Sequence, residues 1–175
     1  MANLLACTVR TRLQAETLLM RMRAGNVPTA AISLLFRCES GALSLARDRD
    51  SHLSARSARD VPPDGMLGGV LGGLSGVTVM HLPMAGLHVV AGPLGAALQP
   101  DGSSAAACSL GQALQVLGLP EPGPAGGYQA LVSDGQVLLA ICDDRAGAMG
   151  AVARLLTAAG AEHVHYTDPC CHAQT

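Results

Sequence analysis

Lysine and tryptophan are absent from this chain, and only Phe36, Tyr128 and Tyr166 among its 175 residues carry a large aromatic ring. The core must therefore be filled by Leu, Val, Met and Ala, which favours close backbone packing over aromatic pockets. With no Lys, a G-x-x-x-x-G-K-[ST] phosphate loop cannot be built. All eleven basic residues are Arg, they are scattered, and the formal net charge is −2. That leaves no electrostatic footprint for nucleic acid.

Charge itself is missing from long stretches. No Asp, Glu, Lys or Arg occurs from Gly65 to Pro100, or from Gly102 to Pro120. The six cysteines form no C-x-x-C pair, and "LLAC" (4–7) lacks the long apolar segment that a lipoprotein signal places before its cysteine. A reducing, cytoplasmic setting is the expectation. Neither G-x-S-x-G nor H-E-x-x-H occurs. Asp143-Asp144 beside Arg145 read as a helix N-cap rather than as an acid–base site, so no enzyme is expected.

What is present is ordered. "NLLACTVR" (3–10) reads as a strand. The following "TRLQAETLLMRMRAGNVP" reads as an amphipathic helix, capped by Thr11 and stopped at Gly25-Asn26, and "ISLLFR" (32–37) as a second strand. The same grammar returns in "VLLAICDD" (137–144), "RAGAMGAVARLLTAAGA" (145–161, ending at Gly160) and "EHVHYT" (162–167). Arg12, Ala15 and Arg21 match Arg145, Ala148 and Arg154 at identical spacing. Two such units bury each other most simply as an α+β ferredoxin-like split βαβ fold, a four-stranded antiparallel sheet with both helices on one face.

About a hundred residues separate the halves, too many for an unstructured loop. The expected division is 1–46 for the first half, 47–64 for a polar linker, 65–120 for a Gly/Ala-rich helical hairpin, 121–168 for the second half and 169–175 for a Cys/His tail. Within the insertion, helices are expected over 65–79 and 103–118, with an irregular or short helical middle; a further short helix over 123–134 carries Tyr128. His81 and His88 would then lie two turns apart on one helix face, as a buried pair or at an oligomer seam.

The hairpin opens with "GMLGGVLGGLSG". Its glycines, Gly65, Gly68, Gly69, Gly72, Gly73 and Gly76, share one face of a helix, opposite Met66, Leu67, Val70, Leu71, Leu74 and Val77. Each mid-helix Gly costs about 0.8–1 kcal/mol relative to Ala. Close helix–helix approach offsets that cost, so the glycine face is expected to be a self-association surface. The partner is a second copy in a homo-oligomer, or lipid, because an uncharged run of 36 residues exceeds the ~20 that a membrane span requires.

The tail "EHVHYTDPCCHAQT" holds the one concentration of metal-ligand chemistry. His163 and His165 lie two apart on a strand, and Cys170, Cys171 and His172 follow a Pro turn. Imidazole and thiolate suit Zn or Cu, although the spacing fits no standard motif. Cys7, Cys38, Cys108 and Cys142 read as small buried hydrophobes. A small-molecule sensor, binding between sheet and insertion, lacks any specific polar constellation.

The succession "AETLLMRMRAGNVPTAAISLL" (15–35), "LPMAGLHVVAGPLGAAL" (82–98) and "LGLPEP" (117–122), then a Tyr and a closing strand–helix–strand, resembles the general stress protein 17M-like, low-temperature-induced bacterial family. The resemblance covers nearly the whole chain except the linker and the last eight residues. It implies a ferredoxin-like domain interrupted by a glycine-zipper hairpin, frequent membrane association and no assigned catalytic residues. The chain departs from that pattern where Pro122, Gly123, Pro124, Gly126 and Gly127 replace an acidic helix start.

Overall fold

A computed structural model describes residues 3–37, 56–57, 74, 77–82, 86–99, 109–119, 125–143 and 148–167. The elements are β1 (Asn3–Val9), α1 (Arg12–Ala24), a 3-10 turn at Thr29–Ala31, β2 (Ile32–Arg37), β3 (Arg56–Ser57), β4 (Thr78–Leu82), β5 (Gly86–Ala91), α2 (Pro93–Leu98), α3 (Leu110–Val116), α4 (Ala125–Ser133), β6 (Val137–Asp143), α5 (Ala148–Ala158) and β7 (Glu162–Tyr166).

Local chemistry sets the helix ends. Thr11 and Gln14 close a capping box at the start of α1, each side chain taking the other's backbone N–H at 3.2 Å. Arg21 and Arg23 in the last turn oppose the negative end of the helix dipole. Asn26 then adopts φ 58°, and the Val27 N–H returns to the Met22 carbonyl at 2.9 Å. Ser109 and Gln112 repeat the capping box on α3.

All the strands join one antiparallel sheet in the order β3-β4-β5-β2-β6-β1-β7. The mixed α+β class and the antiparallel sheet are as the sequence suggests. Its size is not: among the described residues seven strands stand where four were expected, and the extra three come from the region between the two halves. Thr78–Leu82, at the end of the expected 65–79 helix and just past it, is a strand, paired with Gly86–Ala91 from Thr78↔Val90 to Leu82↔Gly86. The reason is the outer edge of β2, whose unpaired backbone groups take β5 as partner from Leu34↔Ala91 to Arg37↔His88. Of the expected helical hairpin, the end of the first helix is thus strand, the middle holds β5 and the short α2, and residues 65–73, 75–76 and 103–108 lie outside the described residues. Both α3 and α4 fall inside helices the sequence predicts, over 103–118 and 123–134.

Alternation splits the side chains between two cores. On one face Leu5, Cys7, Ile32, Leu34, Leu139 and Ile141 meet Ala15, Leu18, Leu19 and Met22 of α1 and Met149, Ala153 and Leu156 of α5. On the other, Leu4, Ala6, Leu35, Val90, Leu138 and Ala140 lie under Leu94 and Leu98 of α2, Leu110 and Leu114 of α3, and Tyr128 and Val132 of α4. Both helices of the terminal units share a face, as expected; the opposite face is covered by the chain that joins them. Each fully buried Leu contributes about 1.5–3 kcal/mol. Arg12 ties α1 to the sheet, its guanidinium lying 4.8 Å from the Phe36 ring centre and donating to the Arg37 carbonyl at 2.8 Å.

Candidate functional site

Tyr128 projects from α4 into the sheet and is 1% exposed. Its hydroxyl lies 3.0 Å from the Ala6 carbonyl, 2.5 Å from the His163 carbonyl and 2.9 Å from Nδ1 of His165. His165 Nδ1 is also 3.0 Å from the His163 carbonyl. One phenol hydrogen cannot serve two carbonyls fully, so a proton on His165 Nδ1 supplies the second donor. Nε2 then carries the free lone pair of an exposed ring. Burial, with a smaller contribution from Cys7, raises the Tyr128 pKa well above its usual value, keeping the hydroxyl a donor.

The cluster sits on an irregularity. Between Ala6 and Thr8 the register of β7 shifts, and His163 adopts φ 51°. A bulge turns one carbonyl out of the ladder, and the Tyr128 hydroxyl meets it. The arrangement fixes a ring by its Nδ1 and offers its Nε2, which is how metal-binding imidazoles are held.

Of the residues singled out from the sequence, His163 and His165 both lie exposed on β7. Cys170, Cys171 and His172 lie outside the described residues, as do Gly65, Gly68, Gly69, Gly72, Gly73 and Gly76. Among the described residues no group of three or more His, Cys, Asp or Glu could hold a metal ion. Cys7 is a free, buried thiol, pushed up to about 12 by burial, and Cys142 packs at the edge of the second core. Cys38 and Cys108 lie outside the described residues. Tyr128 as a polar hub was not foreseen: its carbonyl partners are 122 and 35 residues away.

His81 and His88 need correcting. They stand on neighbouring strands, not on one helix face, and Met80 rather than His81 pairs with His88. Alternation therefore sends the two rings to opposite faces: His81 is exposed and His88 fully buried. His88 Nδ1 lies 3.1 Å from the Gly86 carbonyl, while Nε2 is buried without a partner. Burial lowers its pKa below 6.5, outweighing the carbonyls of Gly86 and Val132, and nearby Arg37 and His81 add to the lowering.

Unfolded chain therefore takes up this proton first. Stability should be highest above pH 6.5 and decline as pH falls below it. Urea unfolding at pH 8 and pH 5 should show this acid loss in the natural chain and a smaller one in His88→Leu. Equal losses in both would place the acid sensitivity elsewhere.

Among the described residues, no helix is long and apolar enough to cross a membrane. Comparison with protein-family models, with curated proteins and with solved structures finds no match for this chain.

Proposed function

We propose that this chain is a non-enzymatic, self-associating protein of the bacterial stress-induced kind. The strand order β2-β6-β1-β7, with α1 and α5 on one face, supports a ferredoxin-like core. The resemblance to the general stress protein 17M-like family supports the stress role. Assembly runs through Gly65, Gly68, Gly69, Gly72, Gly73 and Gly76, into a homo-oligomer or against a membrane.

One observation carries this reading. Leu74 and Val77, from the aliphatic side of the glycine ladder, are 7% and 6% exposed and belong to the core beneath α1 and α5. Leu74 and Val77 are thus taken up by the chain's own core, which supports the reading that the glycines rather than these aliphatic residues meet a partner. In light scattering, Gly69→Leu with Gly73→Leu should lower the particle mass below that of the natural chain. An unchanged particle mass would sink the proposal. Sedimentation of the natural chain with or without cell membranes separates the lipid arm from the protein arm.

The fixed ring of His165 favours a second reading, binding of Zn or Cu by His163 and His165 with Cys170, Cys171 and His172. Elemental analysis of the purified full chain should then find stoichiometric metal, lost in His165→Ala. Metal absent from the full chain retires this reading.

A further inference from the structure

We infer that β7 is a second docking edge, taking the β7 of another copy of this chain in an antiparallel two-fold pair in which Arg154 of each copy meets Glu162 of the other. The partner is of the same kind as in the self-association reading above, but the residues are other than those of the glycine ladder.

Four observations on one patch carry it. First, among the described residues β7 ends the sheet. The Thr167 N–H is spent on the Leu4 carbonyl at 2.9 Å, and Tyr166 and His165 stand opposite Leu5 and Ala6. In an antiparallel ladder the backbone groups alternate in direction, so those of Tyr166, between the inward-facing Thr167 and His165, point away from β1. Unpaired N–H and C=O groups on such an edge match those of an identical strand turned by a two-fold axis.

Second, Glu162–Tyr166 contains no Lys or Pro to block pairing, its bulge lies at His163 rather than at the Tyr166 end, and Tyr166 is 47% exposed. Third, a groove of about 500 Å³ runs alongside, lined by Gly150, Ala153, Arg154, Thr157, Val164 and Tyr166. A Cβ at Gly150 would meet nothing within 4 Å among the described residues, so none of them uses that space.

Fourth, the charges are complementary. The cation of the groove, Arg154, lies with Val164 and Tyr166, whereas the carboxylate of β7, Glu162, is at the other end of the strand. Antiparallel pairing sets the Glu162 end of one copy beside the Tyr166 end, and hence the Arg154, of the other. Glu162 already holds Arg10 at 2.8 Å and keeps a second oxygen for Arg154 of the partner copy.

The test is sedimentation velocity on the full chain, in the natural background and in Gly69→Leu/Gly73→Leu. With the glycine ladder disrupted, a dimer should remain. Adding Arg154→Glu should raise its dissociation constant about tenfold or more, because two carboxylates then face each other. Gly150→Leu fills the groove without an internal clash and should weaken the dimer likewise, with an unchanged circular dichroism spectrum. A monomer in the Gly69→Leu/Gly73→Leu background, or a dimer indifferent to both Arg154→Glu and Gly150→Leu, overturns the inference. Should the double glycine variant not fold, Arg154→Glu in the natural chain must lower the assembly mass, and an unchanged mass overturns the inference there too. Failure of the glycine reading looks different: Gly69→Leu/Gly73→Leu keeps the natural size whatever Arg154→Glu does.

Discussion

Gly92→Ala should be among the most damaging single-methyl additions this chain can receive. Gly92 turns β5 into α2 at φ 81° and ψ −166°, a region essentially restricted to glycine, where an L residue costs about 1–3 kcal/mol in backbone strain alone. A Cβ there would stand 2.1 Å from the Ile32 carbonyl oxygen and 2.9 Å from the Ser33 Cα. Both are backbone atoms of β2, whose residues pair with β5 on one side and β6 on the other, so neither can swing aside. The Ser33 hydroxyl, which takes the Leu94 N–H at 3.0 Å, would be displaced as well. Together these predict a loss of about 4 kcal/mol or more, in the range reserved for a specific structural conflict. Gly86→Ala is the control: Gly86 has φ 87° but open space around it, so only strain of about 1–2 kcal/mol is expected. Urea unfolding of both variants tests the argument, and equal losses would show that the contact with β2 decides nothing.

Tyr128→Ala carries the second large effect. Removing a buried aromatic ring costs about 3–5 kcal/mol through lost transfer energy and the cavity left behind. Tyr128→Phe separates the ring from the hydroxyl. It keeps the packing beneath α4 but removes the one phenol hydrogen near the Ala6 and His163 carbonyls, a cost of about 1–3 kcal/mol for a buried acceptor left unmet. The same variant should free the His165 ring, since Nδ1 loses the phenol oxygen at 2.9 Å. Imidazole nitrogen shifts measured by NMR should then move toward a mixture of tautomers. A Phe variant as stable as the natural chain, with unaltered His165 nitrogens, contradicts the role given to the hydroxyl.

The terminal units were legible because their signals are local. Thr11 with Gln14, the Gly25-Asn26 stop and the left-handed Gly160 after α5 mark helix ends within a few residues, and the apolar runs of β1, β2 and β6 are short and cleanly bounded. His163 and His165 were likewise legible as strand neighbours. The middle of the chain was harder. In "TVMHLPMAGLHVVAGPLGAAL" the apolar pieces are brief and cut by Pro and Gly, and such pieces satisfy a helix and a buried strand equally well. Sequence spacing placed His81 and His88 on one face at helical period; the strand period puts them on two.

By itself the sequence determined the strand–helix–strand grammar at both ends and the aliphatic composition of the core, since each depends on residues within a few positions of one another. Only the tertiary structure decided that β2 would take β5 along its open edge, that α2, α3 and α4 would cover the second face, and that Tyr128 would bind the bulge at His163. Those outcomes depend on hydrogen-bonding groups far apart in the chain, which become neighbours only once the sheet has formed.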